Sequence, residues 1–176
     1  LNSEFADAYY NRGGVKFKLK DYNGAITDYS KVIEINPDFA MAYNNRGNSK
    51  FKLKDYDGAI IDYNKSIELN PDFAIAYSNI GNVKFKLKDY YEAITDYNKA
   101  IELNPDFADA YFNRGVLNDE LKDYYGAIAD YTKATIADYT KAIELNPDFA
   151  DAYFNRGISK SDLEDYYGAI TDYNKA

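Results

Sequence analysis

The chain has 176 residues, 46% of them hydrophobic, which is enough for one domain with a core, and its 17% aromatic content is all Tyr and Phe. A net charge of -8 argues against nucleic acid as a partner, because neutralising phosphates needs a basic field. With no Cys and no His there is no disulfide, thiolate nucleophile or imidazole base to build on, and no run nears the roughly 18 apolar residues of a membrane span.

Read in order, the chain repeats itself. Units open at Ala6, Ala40, Ala74, Ala108 and Ala150, giving units 6–39, 40–73, 74–107, 108–149 and a short last one, 150–176. The spacing is 34 residues three times and then 42. A fixed period of this size is the mark of a solenoid. The opening LNSEFA resembles the LNPDFA that closes the other units, and the last unit is incomplete, so an excerpt of a longer array is expected.

The unit 40–73 shows the plan. Apolar and small residues fall at helical spacing over 40–53 (Ala42, Tyr43, Gly47, Phe51, Leu53) and again over 56–69 (Ala59, Ile60, Tyr63, Ile67, Leu69). Asp55 stands where the second helix needs an N-cap, as do Asp21, Asp89, Asp123 and Asp165 in the other units. Asn70-Pro71-Asp72 stops that helix, and Asp72 is placed to cap the next one. Gly47 recurs as Gly13, Gly81, Gly115 and Gly157. A helical glycine costs about 1 kcal/mol against Ala, so a close helix–helix approach is expected there.

Unit four differs. Its second segment contains ADYTKATI followed by the near-copy ADYTKAIE, an eight-residue insertion without Gly or Pro. The spacing predicts one long helix over about 124–145. In that reading Ala127, Ile128, Tyr131 and Ala134 pack on the unit's own first helix, while Ile136, Tyr139, Ala142 and Ile143 are in register with unit five, which is displaced. The alternative is a local bulge that restores register.

These residues resemble the tetratricopeptide repeat family. Its spaced signature of aromatic, Gly, Ala, aromatic, small and Pro appears as Tyr43, Gly47, Ala59, Tyr63, Ser66 and Pro71, and as Tyr77, Gly81, Ala93, Tyr97, Ala100 and Pro105. Units one and four carry the same set and unit five all but the proline. The chain departs from the family where Leu usually precedes the Gly. Arg12, Arg46, Arg114 and Arg156 stand there instead, with Ile80 in unit three. Lys16, Lys50, Lys84, Asn118 and Lys160 replace a Tyr three residues after the Gly. The expectation is that these long stems cover apolar surface with their heads in water.

The resemblance implies an all-α, right-handed α-solenoid whose first helices line a concave groove. It implies a non-catalytic scaffold that holds an extended segment of a partner protein there, with no cofactor or metal. Two residues before each Gly is an Asn: Asn11, Asn45, Asn79, Asn113 and Asn155. Stacked along a groove, such amides can donate to and accept from a peptide backbone, as in the asparagine ladder of the O-linked N-acetylglucosamine transferases. The alternative is that they were copied by tandem duplication and bond only within the array. Around them the aromatic residues Tyr10, Phe112 and Phe154 occupy the position before the Asn. Phe17, Phe51 and Phe85 lie four residues after the Gly, each followed by a lysine: Lys18, Lys52 and Lys86. Asp119 with Glu120, and Ser161 with Asp162, replace them in units four and five. The lysines can serve a groove or merely complement helix dipoles. The carboxylate clamp that some members of the family use needs cations at Tyr10, Gly14, Asn45, Ile75 and Asn79, or at Asn44, Asn48, Asn79, Asp109 and Asn113, and neither set has one.

Two rival readings remain at this level. Ala169, Ile170 and Tyr173 close the last helix without a polar capping helix, which with a displaced unit five would favour self-association into a homo-oligomer. The array could equally be the recognition arm of a larger enzyme. A cytoplasmic setting is the default expectation.

Overall fold

The computed structural model describes residues 3–125 and 128–176; for 3, 4, 122–131, 133 and 134 only the backbone path is considered where it is described. Ten helices account for the described chain, and they fall into two compact units, Leu1–Leu87 and Lys88–Ala176. The first unit holds α1 (Ser3–Lys18), α2 (Tyr22–Ile35), α3 (Ala40–Lys52), α4 (Tyr56–Leu69) and α5 (Ala74–Lys86). The second holds α6 (Tyr90–Leu103), α7 (Ala108–Tyr125), α8 (Ile128–Leu145), α9 (Ala150–Asp162) and α10 (Tyr166–Tyr173). In each unit a helix packs on those before and after it in sequence, as helix–turn–helix repeats require.

The turn inside the first, second and fifth pairs is a Schellman motif built without glycine. Lys54 adopts a left-handed φ of 64°, Asp55 N–H reaches back to the carbonyl of Lys50 at 3.0 Å and Lys54 N–H to that of Phe51 at 2.9 Å. Lys20 and Glu164 take the same conformation, at φ 63° and 64°. The next helix is then capped by the Asp that follows. The side chains of Asp21, Asp55 and Asp165 accept from the backbone N–H of Gly24, Gly58 and Gly168. A Cβ on any of these glycines would collide with the capping carboxylate. Unit three has Glu92 in place of that glycine, and Asp89, although at the N-cap position, makes no side-chain capping bond. Asp123 is no cap at all, since it lies within α7. The turn between pairs is also built differently from the expectation. Asn70 leaves the helix at φ -141° and ψ 91°, as a residue before proline prefers, and its side chain accepts from the N–H of Asp72 at 3.3 Å. Asp72 does not cap: the N-cap residue of α5 is Phe73, without a side-chain bond.

The expected close approach at the recurring glycine is present. A Cβ on Gly47 would lie 2.7 Å from Cε1 of Tyr63, on Gly13 2.9 Å from Tyr29, on Gly115 2.8 Å from Tyr139 and on Gly157 2.6 Å from Tyr173. In these four pairs the tyrosine ring of the second helix therefore occupies the space where the first helix has no side chain. Around these contacts sit small cores. One joins Ala6, Val32 and Ala42 to Tyr9, Tyr10 and Phe39, another joins Ala59, Tyr63, Ile80 and Val83 to Phe51, Tyr56 and Ile67, and in the second unit Ala142, Ile143 and Ala152 meet Tyr111, Phe112 and Phe149.

Of the arginines that replace the family's Leu, Arg46, Arg114 and Arg156 do not hold their heads in water, while Arg12 stays more than half exposed. Arg46 donates to both oxygens of Asp62, at 2.9 and 2.7 Å, and Lys50 Nζ is 2.8 Å from the same carboxylate, which is 1% exposed. Arg12 and Lys16 hold Asp28, and Arg156 and Lys160 hold Asp172, in the same way. The third guanidinium nitrogen reaches the preceding pair: Arg46 donates to Ser30 Oγ at 3.1 Å, Arg114 to Asn98 Oδ1 at 2.6 Å and Arg156 to Thr140 Oγ1 at 3.0 Å. Each such arginine ties its own second helix to the one before it, a link that Leu could not make.

The insertion lengthens both helices of unit four. The second helix is elongated as expected, with 18 residues in α8 against 14 in α4, but α7 also has 18 against 13 in α3. The single helix from residue 124 is corrected: Tyr124 and Tyr125 end α7 and α8 opens at Ile128, with 126–127, and so Ala127, outside the described residues. The division of labour is corrected as well. The second copy of the duplicated segment, expected to serve unit five alone, packs on the unit's own first helix, with Tyr139 against Gly115 and Asp138 on Arg114 at 3.0 and 2.5 Å, while the side chains of Ala127, Ile128, Tyr131 and Ala134 lie outside the described residues. The same copy also serves unit five, through Ala142 and Ile143 against Ala152 and through Thr140 on Arg156. Register is thus restored by a taller hairpin. The physical reason is Leu121, fully buried here, where the equivalent Leu53 lies in an exposed turn; a longer partner helix lets one more turn of α7 be covered.

Candidate functional site

Within Leu1–Leu87 the first helices α1, α3 and α5 lie side by side, and two adjoining hollows open along them. The first has a volume of ≈ 170 Å³ and is lined by Gly14, Phe17, Lys18, Tyr29, Asn45 and Asn48. The second, of ≈ 240 Å³, is lined by Phe17, Asn48, Phe51, Lys52, Tyr63, Asn79 and Asn82. Phe17 and Asn48 belong to both, so the hollows follow one another at one per repeat.

Six residues expected from the sequence are brought together here: Phe17, Lys18, Asn45, Phe51, Lys52 and Asn79. Their surroundings explain the placement. Phe17 meets Tyr22 edge-on with ring centres 5.4 Å apart, and Phe51 meets Tyr56 at 5.7 Å, so each ring is propped by the first residue of the following helix. The lysine after each Phe stands in the last turn of its helix, where a cation complements the dipole, and Lys52 Nζ sits 6.0 Å from the Phe51 ring centre. Neither Lys18 nor Lys52 has a carboxylate partner among the described residues, in contrast to Lys16 and Lys50 two residues earlier.

The asparagines also serve the array itself. Asn45 Nδ2 donates to the hydroxyl of Tyr10 at 2.9 Å and its Oδ1 accepts from Asn44 at 3.2 Å. Asn79 donates to Asn44 Oδ1 at 2.9 Å, and Asn155 is hydrogen-bonded to the Tyr139 hydroxyl. One amide N–H of each is thereby committed to the preceding repeat. Asn45 keeps a second N–H, and Asn79 a second N–H and its carbonyl, facing the hollows.

The remaining candidates stand apart from the hollows. Tyr10 is half-buried between Tyr29 and Phe39, and Phe112 between Tyr139 and Phe149, so both interlock repeats. Asn11 and Phe154 are exposed, Asn113 is half-buried, and Lys86 covers the ring of Phe85 at 5.4 Å. Of the acidic replacements, Asp119 accepts from the Tyr139 hydroxyl at 3.0 Å.

Five lining residues were not picked out from the sequence as groove residues: Gly14, Asn48, Asn82 and the hydroxyl ends of Tyr29 and Tyr63. Their signal is the position directly after the recurring glycine, which reads Gly14, Asn48, Asn82 and then Val116 and Ile158. Asn48 accepts from the Tyr63 hydroxyl at 2.8 Å. With Gly14 in the same place, the Tyr29 hydroxyl has no hydrogen-bond partner among the described residues and faces the first hollow. Burial, with Tyr10 and Asp28 nearby, pushes its pKa up to about 12, so it is a neutral hydroxyl able to donate and accept. The paired aspartates 28, 62, 138 and 172 were likewise unread, although each precedes the packing tyrosine and recurs with an arginine upstream.

Stacked helix pairs with recurring Gly–Tyr contacts and a row of hollows along the first helices define a helical-repeat protein of the interaction-scaffold class. Tetratricopeptide repeat models match residues 6–39 and 40–73, and 108–135 and 150–176, and a TPR repeat model matches 81–121 and 133–160. The chain belongs to the tetratricopeptide repeat family, whose members are in general non-catalytic interaction modules. No curated protein matches it in sequence. Among solved structures it is similar to MamA, with 26% identity and a TM-score of 0.73 over 99% of this chain and 91% of that one. It is similar to the first TPR of Spaghetti (RPAP3) bound to the HSP90 peptide SRMEEVD, with 30% identity and a TM-score of 0.64 over 69% of this chain and 96% of that one. PilF of Pseudomonas aeruginosa shares the fold, with a TM-score of 0.87 at 19% identity over 98% and 75% of the two chains. Among the described residues no helix is long and apolar enough to cross a membrane.

Proposed function

We propose that this chain is a non-catalytic scaffold that holds an extended segment of a partner protein against the first helices of Leu1–Leu87. The observation that carries this reading is the pair of adjoining hollows, where aromatic walls, amides and lysine heads from three successive first helices meet. Apolar walls with a few convergent polar groups are the usual make-up of a binding site. A family relative that holds a peptide supports it too. That relative's peptide does not transfer with the fold, because the clamp positions Tyr10, Gly14, Asn45, Ile75 and Asn79 carry no cation.

The test is selection from a random peptide display library on the parent chain and on Gly14→Leu. A Cβ at Gly14 meets nothing nearer than the Tyr29 hydroxyl at 3.8 Å, so the helix pair admits a side chain there, and Leu is chosen to fill the first hollow. A consensus enriched by the parent and weakened at least tenfold by Gly14→Leu is expected. No enrichment, or equal enrichment by both, overturns the proposal.

A further inference from the structure

We infer that the groove of Leu1–Leu87 is selective for an acidic segment in polyproline II form that carries two aromatic residues three positions apart. The inference rests on the groove reading above and names the chemistry of its ligand.

Ring size comes first. An apolar cavity of about 150 Å³ holds a benzene molecule. The hollows, at ≈ 170 and ≈ 240 Å³, each admit one phenyl or phenol ring, and their walls supply Phe17, Tyr29, Phe51 and Tyr63 as edge or face partners. The unpartnered Tyr29 hydroxyl gives the first hollow a polar group at its floor.

Spacing follows from the repeat. The hollows lie between α1 and α3 and between α3 and α5, and packed helices stand about 8–10 Å apart. A fully extended strand advances about 3.3 Å per residue but turns alternate side chains to opposite faces. A polyproline II segment has three residues per turn and rises about 3.1 Å per residue, so residues i and i+3 face the same way about 9 Å apart. That geometry seats one ring in each hollow. The backbone between them carries no internal hydrogen bonds and is open to the spare amide groups of Asn45 and Asn79.

Charge selects the flanks. The chain carries 29 acidic residues against 21 basic ones, and most lysines along the first and second helices are paired. Lys18 and Lys52, one at each hollow, have no carboxylate partner among the described residues. A carboxylate beside each ring supplies the missing partner, and acidic flanks are repelled by the rest of the surface, which fixes the segment to this groove.

The experiment uses three fluorescent peptides, EEFEEFEE, QQFQQFQQ and EESEESEE, titrated at physiological salt into the parent, Lys18→Glu/Lys52→Glu and Gly14→Leu. EEFEEFEE is expected to bind the parent at least tenfold more tightly than either other peptide. The charge-reversed variant loses the preference for Glu over Gln, while Gly14→Leu weakens both Phe peptides. Both lysines are on the surface, so circular dichroism of the reversed variant is expected to match the parent. Equal binding of EEFEEFEE and QQFQQFQQ, or a preference that survives charge reversal, overturns the inference and leaves the groove reading standing when Gly14→Leu still weakens both. A display consensus of other chemistry that Gly14→Leu abolishes has the same meaning. No binding by any of the three, together with no display consensus, overturns both.

Discussion

Removing the carboxylate of Asp62 tests the charge cluster that replaces the family's apolar contact. Asp62 is 1% exposed and takes two hydrogen bonds from Arg46 and an ion pair from Lys50, whose side chains are both 19% exposed. Asp62→Ala leaves two largely buried cations facing each other. Deleting one partner of a buried ion pair costs about 3–5 kcal/mol, and the residual exposure of both cations places this case near the lower end, about 3 kcal/mol. For a chain of this size each kcal/mol shifts the melting temperature by roughly 2–4 °C, so a drop of about 6–12 °C is expected. Thermal and urea melts followed by circular dichroism measure it. Hydrogen exchange places the loss in α3 and α4. A companion variant, Arg46→Met/Lys50→Met/Asp62→Leu, removes the whole cluster and is expected to cost little or to stabilise, since an apolar replacement spares the desolvation of three charges. Unit three already has Ile80 at the arginine position, buried beside Tyr63 and Val83. A loss below about 1 kcal/mol for Asp62→Ala, or a triple variant as damaged as the single one, would refute the reasoning.

Four further outcomes follow from the geometry. In acid, hydrogen bonding from Arg12 holds Asp28 below the usual carboxylate range; at Asp172 burial pushes upward, but Arg156 and Lys160 outweigh it and the pKa is again lowered. Both contribute stability present above the unfolded pKa and lost as pH falls through the lower folded values, so urea midpoints should hold down to about pH 4 and then fall. In alkali, burial raises Tyr29 to about 12 and raises Tyr63, Tyr97 and Tyr139 as well. Stability is therefore full below about pH 10 and is lost as pH rises toward the folded values, with these hydroxyls ionising in ultraviolet titration only as the chain unfolds. Gly47→Ala sets a methyl 2.7 Å from the buried Tyr63 ring; overpacking of about 1–3 kcal/mol outweighs the roughly 1 kcal/mol gain in helix propensity, while Gly14→Ala, whose methyl makes only an ordinary contact at 3.8 Å with the Tyr29 hydroxyl, stabilises. Lys54→Gly relieves a left-handed residue at φ 64° and is expected to raise stability by about 0.5–1 kcal/mol in urea melts.

Much of the groove was legible because its residues recur in register. Phe17 and Phe51, Lys18 and Lys52, and Asn45 and Asn79 share one position each in the unit, and a repeat that stacks in register brings equal positions to one face. Tyr10 and Phe112 recur too, yet they fill the seam between repeats, because the step before the Asn turns the side chain by about 100° toward the next helix pair. Gly14 and Asn48 went unread for the opposite reason: they differ from each other, and it is that difference which opens the first hollow to Tyr29.

Sequence by itself determined the helix pairs and their family, since period, proline, glycine and tyrosine positions are local or periodic signals, but not how each turn is capped. It did not determine what the long polar side chains do. Whether Arg46 points to water or to Asp62, sixteen residues on, depends on a second helix packing close enough to bury that carboxylate. Nor did it decide how eight extra residues are absorbed. Both copies of the duplicated segment carry the same Asp–Tyr pair, and only packing of α7 against α8, with Leu121 drawn under cover, places Asp138 on Arg114 and Tyr139 against Gly115. Periodicity offers the candidates; burial of the longer apolar surface chooses among them.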